Sequence, residues 1–186
     1  SLQSLSLSPH APYSVTDEGF LRIAELAKKK KLKIQLHLHE TSQEIQDSLD
    51  EWGLRPLARI ENLGILNRSL QAIHLTQLNS DEIESLAKNE VHVGHCPESN
   101  MKLGSGICPI SDLLAKNVNV AIGTDSAASN NDLDMLQEVR TASFLSKAIT
   151  NDATQIPAED CLEMITLNGA KFLGLEHKIG SIEVGK

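Results

Sequence analysis

Lys33-Ile34-Gln35-Leu36-His37-Leu38-His39-Glu40-Thr41 is the stretch on which the reading of this chain turns. It reads as a short strand that ends in two imidazoles and a carboxylate. Residues two apart on a strand share a face, so His37 and His39 are expected to point the same way. A histidine pair facing one way, with a carboxylate just beyond, suits metal-assisted hydrolysis: ligands for a cation and a group to move protons. Imidazoles hydrogen-bonded at an ordinary strand end would give the same letters. The rest of the chain has to decide between the two.

Outward from this stretch, segments alternate. Leu5-Ser6-Leu7-Ser8 is a strand candidate stopped by Pro9, with His10-Ala11-Pro12-Tyr13 as the following loop. Thr16 is a good N-cap for a helix that runs to the lysines at 28–31, with Asp17 and Glu18 in its first turn. Residues 42–60 have a helical pattern that Gly53 and Pro56 divide. Further strands are expected at Leu70–Thr76, Val91–Pro97 and Val118–Asp125. Further helices are expected to open at Ser80, to run over 110–116 and 133–148, to open at Pro157, and to run over 166–173 up to Gly174. Asp132 and Asp134 look like helix first-turn acids rather than ligands.

Strands alternating with helices are the signature of a parallel sheet in an α/β fold. A flavodoxin-like open sheet also has five strands, but the polar residues favour a barrel. His10, His37, His74, His95 and Asp125 each stand at or just beyond the C-terminal end of a strand. In a (β/α)8 TIM-type barrel those ends converge on one mouth, whereas the outer strands of an open sheet lie too far apart to share an ion. A full barrel takes about 250 residues, and this chain of 186 supplies five units of the eight. The expectation is a partial barrel, with the chain a piece of a longer protein.

Composition narrows the partners. With 40% hydrophobic and 23% charged residues there is ample material for one core. A net charge of −8, from 17 basic and 25 acidic residues, argues against a surface that tracks nucleic acid. Aromatics at 3% leave no base-stacking platform. No apolar run approaches the roughly 20 residues of a membrane span, so no membrane partner is expected. Cys96, Cys108 and Cys161 are scattered and odd in number, as reduced thiols of a cytoplasmic protein would be. Cys96, although beside His95, reads as a packed core thiol.

The motifs Ser8-Pro9-His10-Ala11-Pro12-Tyr13, His37-Leu38-His39-Glu40-Thr41, His95-Cys96-Pro97-Glu98-Ser99-Asn100-Met101-Lys102-Leu103-Gly104 and Gly123-Thr124-Asp125-Ser126-Ala127-Ala128-Ser129-Asn130-Asn131 resemble the amidohydrolase superfamily. Within it they are most similar to the 5-methylthioadenosine/S-adenosylhomocysteine deaminases. The tail motifs Thr166-Leu167-Asn168-Gly169-Ala170-Lys171 and Gly180-Ser181-Ile182-Glu183-Val184-Gly185-Lys186 match as well. The resemblance implies that His10, His37, His74, His95 and Asp125 end strands 4 to 8 of the barrel. It divides the chain into barrel over 1–173 and, over 174–186, the start of the return into a small β-sandwich.

The resemblance also implies a chemistry: hydrolytic deamination at the six-position of an adenosine-type nucleoside. His37 and Asp125 are the implied ligands of one divalent metal, Zn²⁺ first, with Fe²⁺ and Mn²⁺ also suited to such donors. The family's strand 5 pattern, His-x-x-Glu, makes His37 the ligand and Glu40 the proton shuttle, and leaves His39 at a variable position. Asp125 accepts a proton from the attacking water, and His74 hydrogen-bonds the attacking oxygen. His10, His95, Glu40 and Asp125 are the implied substrate contacts, with the loop Ser126–Asn131 lining the ribose side. The family's strand 1 metal pair is absent from this sequence, so zinc is expected to bind weakly or not at all. A guanine or other heterocycle deaminase, or a chlorohydrolase, of the same superfamily is the rival enzyme; a silent scaffold is the rival of another class. His92 and His177 read as structural and surface residues. Unpaired edges of a partial barrel favour association into a homo-oligomer.

Overall fold

The computed structural model describes residues 3–186. A single parallel sheet runs β1 (Ser6–Leu7), β2 (Lys33–Leu38), β3 (Leu70–His74), β4 (His92–His95) and β5 (Asn119–Ile122), and each strand pairs with its neighbour in sequence. A flavodoxin-like sheet would begin in the order 2-1-3. The strictly sequential order is instead that of consecutive staves of a barrel wall.

Helices fill the connections: α1 (Asp17–Lys30), α2 (Ser42–Trp52), α3 (Pro56–Asn62), α4 (Ser80–Lys88), α5 (Pro97–Leu103), α6 (Ile110–Ala115), α7 (Met135–Thr150), α8 (Ala158–Ile165) and α9 (Leu167–Leu173). Local chemistry sets their limits. The Thr16 hydroxyl accepts the Gly19 N–H to start α1, and Lys31 ends it in the left-handed region at φ 53°. Gly53 takes φ 67° and Pro56 opens the next turn, which divides α2 from α3 as expected.

The sheet buries one face thoroughly. Ile34, Leu36, Leu38, Leu70, Ala72, Val93 and Val120 pack with Phe20, Ile60, Leu86 and Leu113 of the helices in one continuous core. Each such large apolar side chain contributes roughly 1.5–3 kcal/mol on burial. The other face carries only a small cluster, Ile73, Cys96, Ala121 and Phe172, and Gln35 on β2 is exposed there. Helix α9 crosses it, where the Gln71 amide donates to the Phe172 carbonyl.

Several expectations need correction. The fourth strand stops at His95 and Pro97 opens α5, a helix not expected from the sequence. Proline has no N–H for a ladder but fits a first helical turn, and Gly104 at φ 69° closes the helix. The third strand ends at His74 rather than Thr76, because His74 and Leu75 take φ of 77° and 51°. Helix α4 opens at Ser80 as expected, capped by Asn79 in a reciprocal box with Glu82. Among the described residues, 180–186 form bends and a turn and join no strand of the sheet. The three cysteines are free, and burial pushes the Cys96 and Cys108 thiols up. Among the described residues no helix is long and apolar enough to cross a membrane.

Candidate active site

Three side chains at the C-terminal rim of the sheet each have one edge tied back and one edge free. The His10 carbonyl accepts both the His37 backbone N–H, at 3.1 Å, and its Nδ1–H, at 2.7 Å. A carbonyl only accepts, so Nδ1 carries a hydrogen, and in the neutral ring the lone pair is on Nε2. His74 would share a face with Leu70 and Ala72 if β3 continued regularly. Its left-handed backbone instead turns the ring, and Nδ1 lies 2.8 Å from Asn100 Oδ1. Asp125, also left-handed at φ 61°, accepts the Ser99 and Ser129 hydroxyls on Oδ2, each at 2.7 Å. Non-glycine residues held there cost of order 1–3 kcal/mol each, and such strain gathers at working sites.

The free edges converge. One nitrogen of His37, one of His74 and one carboxylate oxygen of Asp125 all lie within 4.8 Å of one another. The His37 and His74 rings stack with centroids 5.4 Å apart. Ligand bonds of about 2.0–2.2 Å hold two atoms on one ion no further apart than about 4.4 Å, so only a small closing movement separates this trio from a shared cation. Two neutral imidazoles and a carboxylate are the donors that Zn²⁺, Fe²⁺ or Mn²⁺ takes. His37 and Asp125 also line a 410 Å³ cleft on the sparsely covered sheet face, with Gln35, Ile73, Gly94 and Phe172. Larger clefts, of 770 and 640 Å³, open at the N-terminal strand ends and contain none of these residues.

Electrostatics keep the donors in ligating form. Burial alone would raise the Asp125 carboxyl, but the Ser129 and Ser99 hydroxyls outweigh it and hold the group below the usual range. Burial lowers His74, against the opposing pull of the Glu40 carboxylate. Glu40 stands beside the trio, with Oε2 3.8 Å from His74 Nε2 and Oε1 accepting the Ser105 hydroxyl at 3.3 Å. Its backbone is fixed by Glu44, whose carboxylate accepts the N–H groups of His39 and Glu40 at 3.0 and 2.7 Å. Desolvation raises Glu44, and those donors partly offset it.

The remaining histidines separate. His10 is exposed, bonded through Nδ1 to the Ser14 hydroxyl at 3.1 Å, with its ring 5.3 Å from that of His37. His95 is 2% exposed and is not among the residues lining the cleft, unlike its neighbours Gly94 and Cys96. Burial pushes it down to about 3, so it stays neutral. His39 does not share the face of His37. The strand ends at Leu38, His39 takes φ 53°, and the buried ring accepts the Leu57 N–H at the start of α3 at 3.0 Å. His92 packs edge-on against Phe172, and His177 is exposed. Ser129 and Asn130 turn inward, to Asp125 and Glu138. Ser99, Asn100 and Ser105 escaped the reading of the sequence. Pro97 followed seven residues later by Gly104, a helix start and stop, was the signal for the element that carries the first two.

The sequential parallel sheet and the convergence at its rim are those of a barrel-type α/β protein, and the chain belongs to the amidohydrolase family, whose model matches residues 2–186. It is 45% identical over 185 residues to the 5-methylthioadenosine/S-adenosylhomocysteine deaminase of Saccharophagus degradans, covering 100% of this chain and 42% of that protein. It is 43% identical over 182 residues to the 5'-deoxyadenosine deaminase of Methanothermobacter thermautotrophicus, covering 98% of this chain and 42% of that protein. Among solved structures it is similar to an adenosine deaminase from Xanthomonas campestris with bound zinc, at 52% identity and TM-score 0.97, covering 98% of this chain and 42% of the other. The zinc complex of atrazine chlorohydrolase from Arthrobacter aurescens shares the fold at 24% identity and TM-score 0.91, over 97% of this chain and 40% of that one. The chain thus spans about two fifths of the relatives it matches, and the sheet is a partial barrel.

Proposed function

We propose that the whole protein carrying this chain deaminates an adenosine-type nucleoside by hydrolysis, giving the inosine derivative and ammonia. Three observations support the reading: the convergence of His37, His74 and Asp125, the carboxylate of Glu40 beside them, and relatives named for this reaction on three adenosine derivatives. The first carries it. His37 Nε2, His74 Nε2 and an Asp125 oxygen would hold one divalent cation, zinc before iron or manganese. Such a cation supplies Lewis-acid activation of a water, lowering its pKa from about 15.7 toward 7.

The chain's own residues do the rest. Asp125, held ionised by two hydroxyls, takes the proton from the attacking water. Glu40 relays that proton to the ring nitrogen next to the reacting carbon, then carries the second proton of the added water, from the new hydroxyl, to the departing ammonia. Proton transfer of this kind contributes about 10²–10⁴ in rate. His10, exposed at the rim beside His37, contacts the base or ribose of the substrate.

The test is an ultraviolet assay of the whole protein with 5-methylthioadenosine, S-adenosylhomocysteine and adenosine, with guanine and atrazine as controls. Loss of adenine absorbance with stoichiometric ammonia is expected, reduced about 10²–10⁴-fold in Glu40→Gln. Turnover of guanine or atrazine alone would refute the substrate class. The 186-residue chain by itself is expected to be inactive.

A further inference from the structure

Helix α5 has no part in the chemistry set out so far, yet two consecutive residues of its first turns hold two of the three converging side chains. Ser99, fully buried, donates to Asp125 Oδ2. Asn100, 2% exposed, presents its side-chain oxygen to Nδ1 of His74 at 2.8 Å. The helix is itself anchored. The Asn100 N–H donates to the Cys96 carbonyl at 3.0 Å, its carbonyl accepts the Ser105 N–H at 2.9 Å, and the Glu98 N–H donates to buried Glu138 at 3.2 Å.

We propose that Asn100 is the positioning residue that sets the tautomer of His74, locking the ring proton on Nδ1 and leaving a lone pair on Nε2, the nitrogen beside Glu40. The inference rests on the reading of His74 as a member of the site. Its physical basis is the inventory of donors and acceptors. An amide oxygen only accepts, so a ring nitrogen 2.8 Å away must carry the hydrogen. A neutral imidazole has one N–H, so Nε2 then has none.

The choice of an amide follows from the same chemistry. A carboxylate at this place would orient the ring equally well but would also favour the imidazolium, in which Nε2 carries a proton and can no longer ligate or accept. An asparagine orients without adding charge. It does so at a cost, because Asn100 Nδ2 is buried and has no hydrogen-bond partner among the described residues. A buried orphan donor costs about 1–3 kcal/mol. An apolar residue of the same size would avoid that penalty, and the work of the oxygen on His74 is what accounts for its absence here. The tautomer also decides what His74 can do. With the proton on Nδ1 it accepts from a water or ligates a cation, whereas with the proton on Nε2 it would donate to the attacking oxygen, the role expected from the sequence.

The experiment is a long-range proton–nitrogen correlation spectrum of the 186-residue chain labelled with ¹⁵N-histidine, at neutral pH and without metal. The wild type is expected to give His74 a pyrrole-type shift at Nδ1 and a pyridine-type shift at Nε2. In Asn100→Leu the ratio of the two tautomers is expected to move roughly tenfold toward Nε2–H, the change that one ordinary hydrogen bond carries. Asn100→Asp keeps an acceptor in place and should keep the proton on Nδ1. A wild-type His74 protonated on Nε2 overturns the proposal. So does a folded Asn100→Leu chain with an unchanged His74 pattern. The wild-type spectrum decides even if the leucine variant fails to fold, and none of these readings depends on which nucleoside, if any, is turned over.

Discussion

Arg59→Met is the substitution whose effect the structure lets one work out most fully. The Arg59 side chain is 4% exposed. Its guanidinium donates to the Pro12 carbonyl at 2.6 Å, to the Val15 carbonyl at 3.1 Å and to Asp17 Oδ1 at 2.6 and 2.9 Å, and lies 3.8 Å from the centroid of Trp52. It therefore ties α3 to the turn that follows His10. Methionine keeps much of the stem's packing and removes the donors. Two charge-assisted bonds to backbone carbonyls are worth about 1.5–3 kcal/mol each, and the stack on Trp52 about 1 kcal/mol. Asp17 is 55% exposed and returns to water, so its ion pair adds at most about 1 kcal/mol. The terms overlap, and a loss of about 3–5 kcal/mol is expected. With a urea slope of about 2 kcal/mol/M, the midpoint of unfolding by circular dichroism should fall by roughly 1.5–2.5 M. A loss under about 1 kcal/mol would mean that the His10 turn does not depend on this clamp.

Acid should destabilise the chain in a predictable window. Burial lowers His95 to about 3 and His39 and His92 to about 4, so below about pH 6.5 the unfolded chain takes up protons that the folded chain refuses. Each site can contribute up to about 1.4 kcal/mol per pH unit between about 6.5 and its folded value. Burial raises Glu138 to about 7 and raises Glu44 as well, which acts in the opposite sense, but these are two carboxyls against four lowered imidazoles, His74 included. Urea midpoints should therefore fall steadily from pH 7 to pH 5; a flat or rising profile would contradict the burial of these rings. The chain is also expected to associate. Among the described residues β1 and β5 each pair on one side only. Multi-angle light scattering should find species larger than 20.3 kDa, and a clean monomer would count against that expectation.

Much of this was legible in the sequence, for identifiable reasons. Period-two strands, a helix cap at Thr16, the break at Gly53 and Pro56, and polar residues at successive strand ends are local signals, and the sheet and the placement of His37, His74 and Asp125 follow from them. What failed was alternation past the last residue of a strand. His39 and His74 both leave the ladder through left-handed backbone, which sends one ring to cap α3 and brings the other to the site. No letter at either position demands a positive φ. The supporting groups Ser99, Asn100 and Ser105 were missed because their value lies in what they touch from other elements, which spacing along the chain does not record.

The account stands on one cation site shared by His37, His74 and Asp125. Titration of the ¹⁵N-histidine-labelled chain with Zn²⁺ tests it directly. Nε2 of His37 and of His74 should shift together and saturate at one ion per chain, weakly, with the response lost in Asp125→Asn and the other five histidines unmoved. Zinc that shifts His92 or His177 instead, or that moves only one of the two rings, would contradict the shared site.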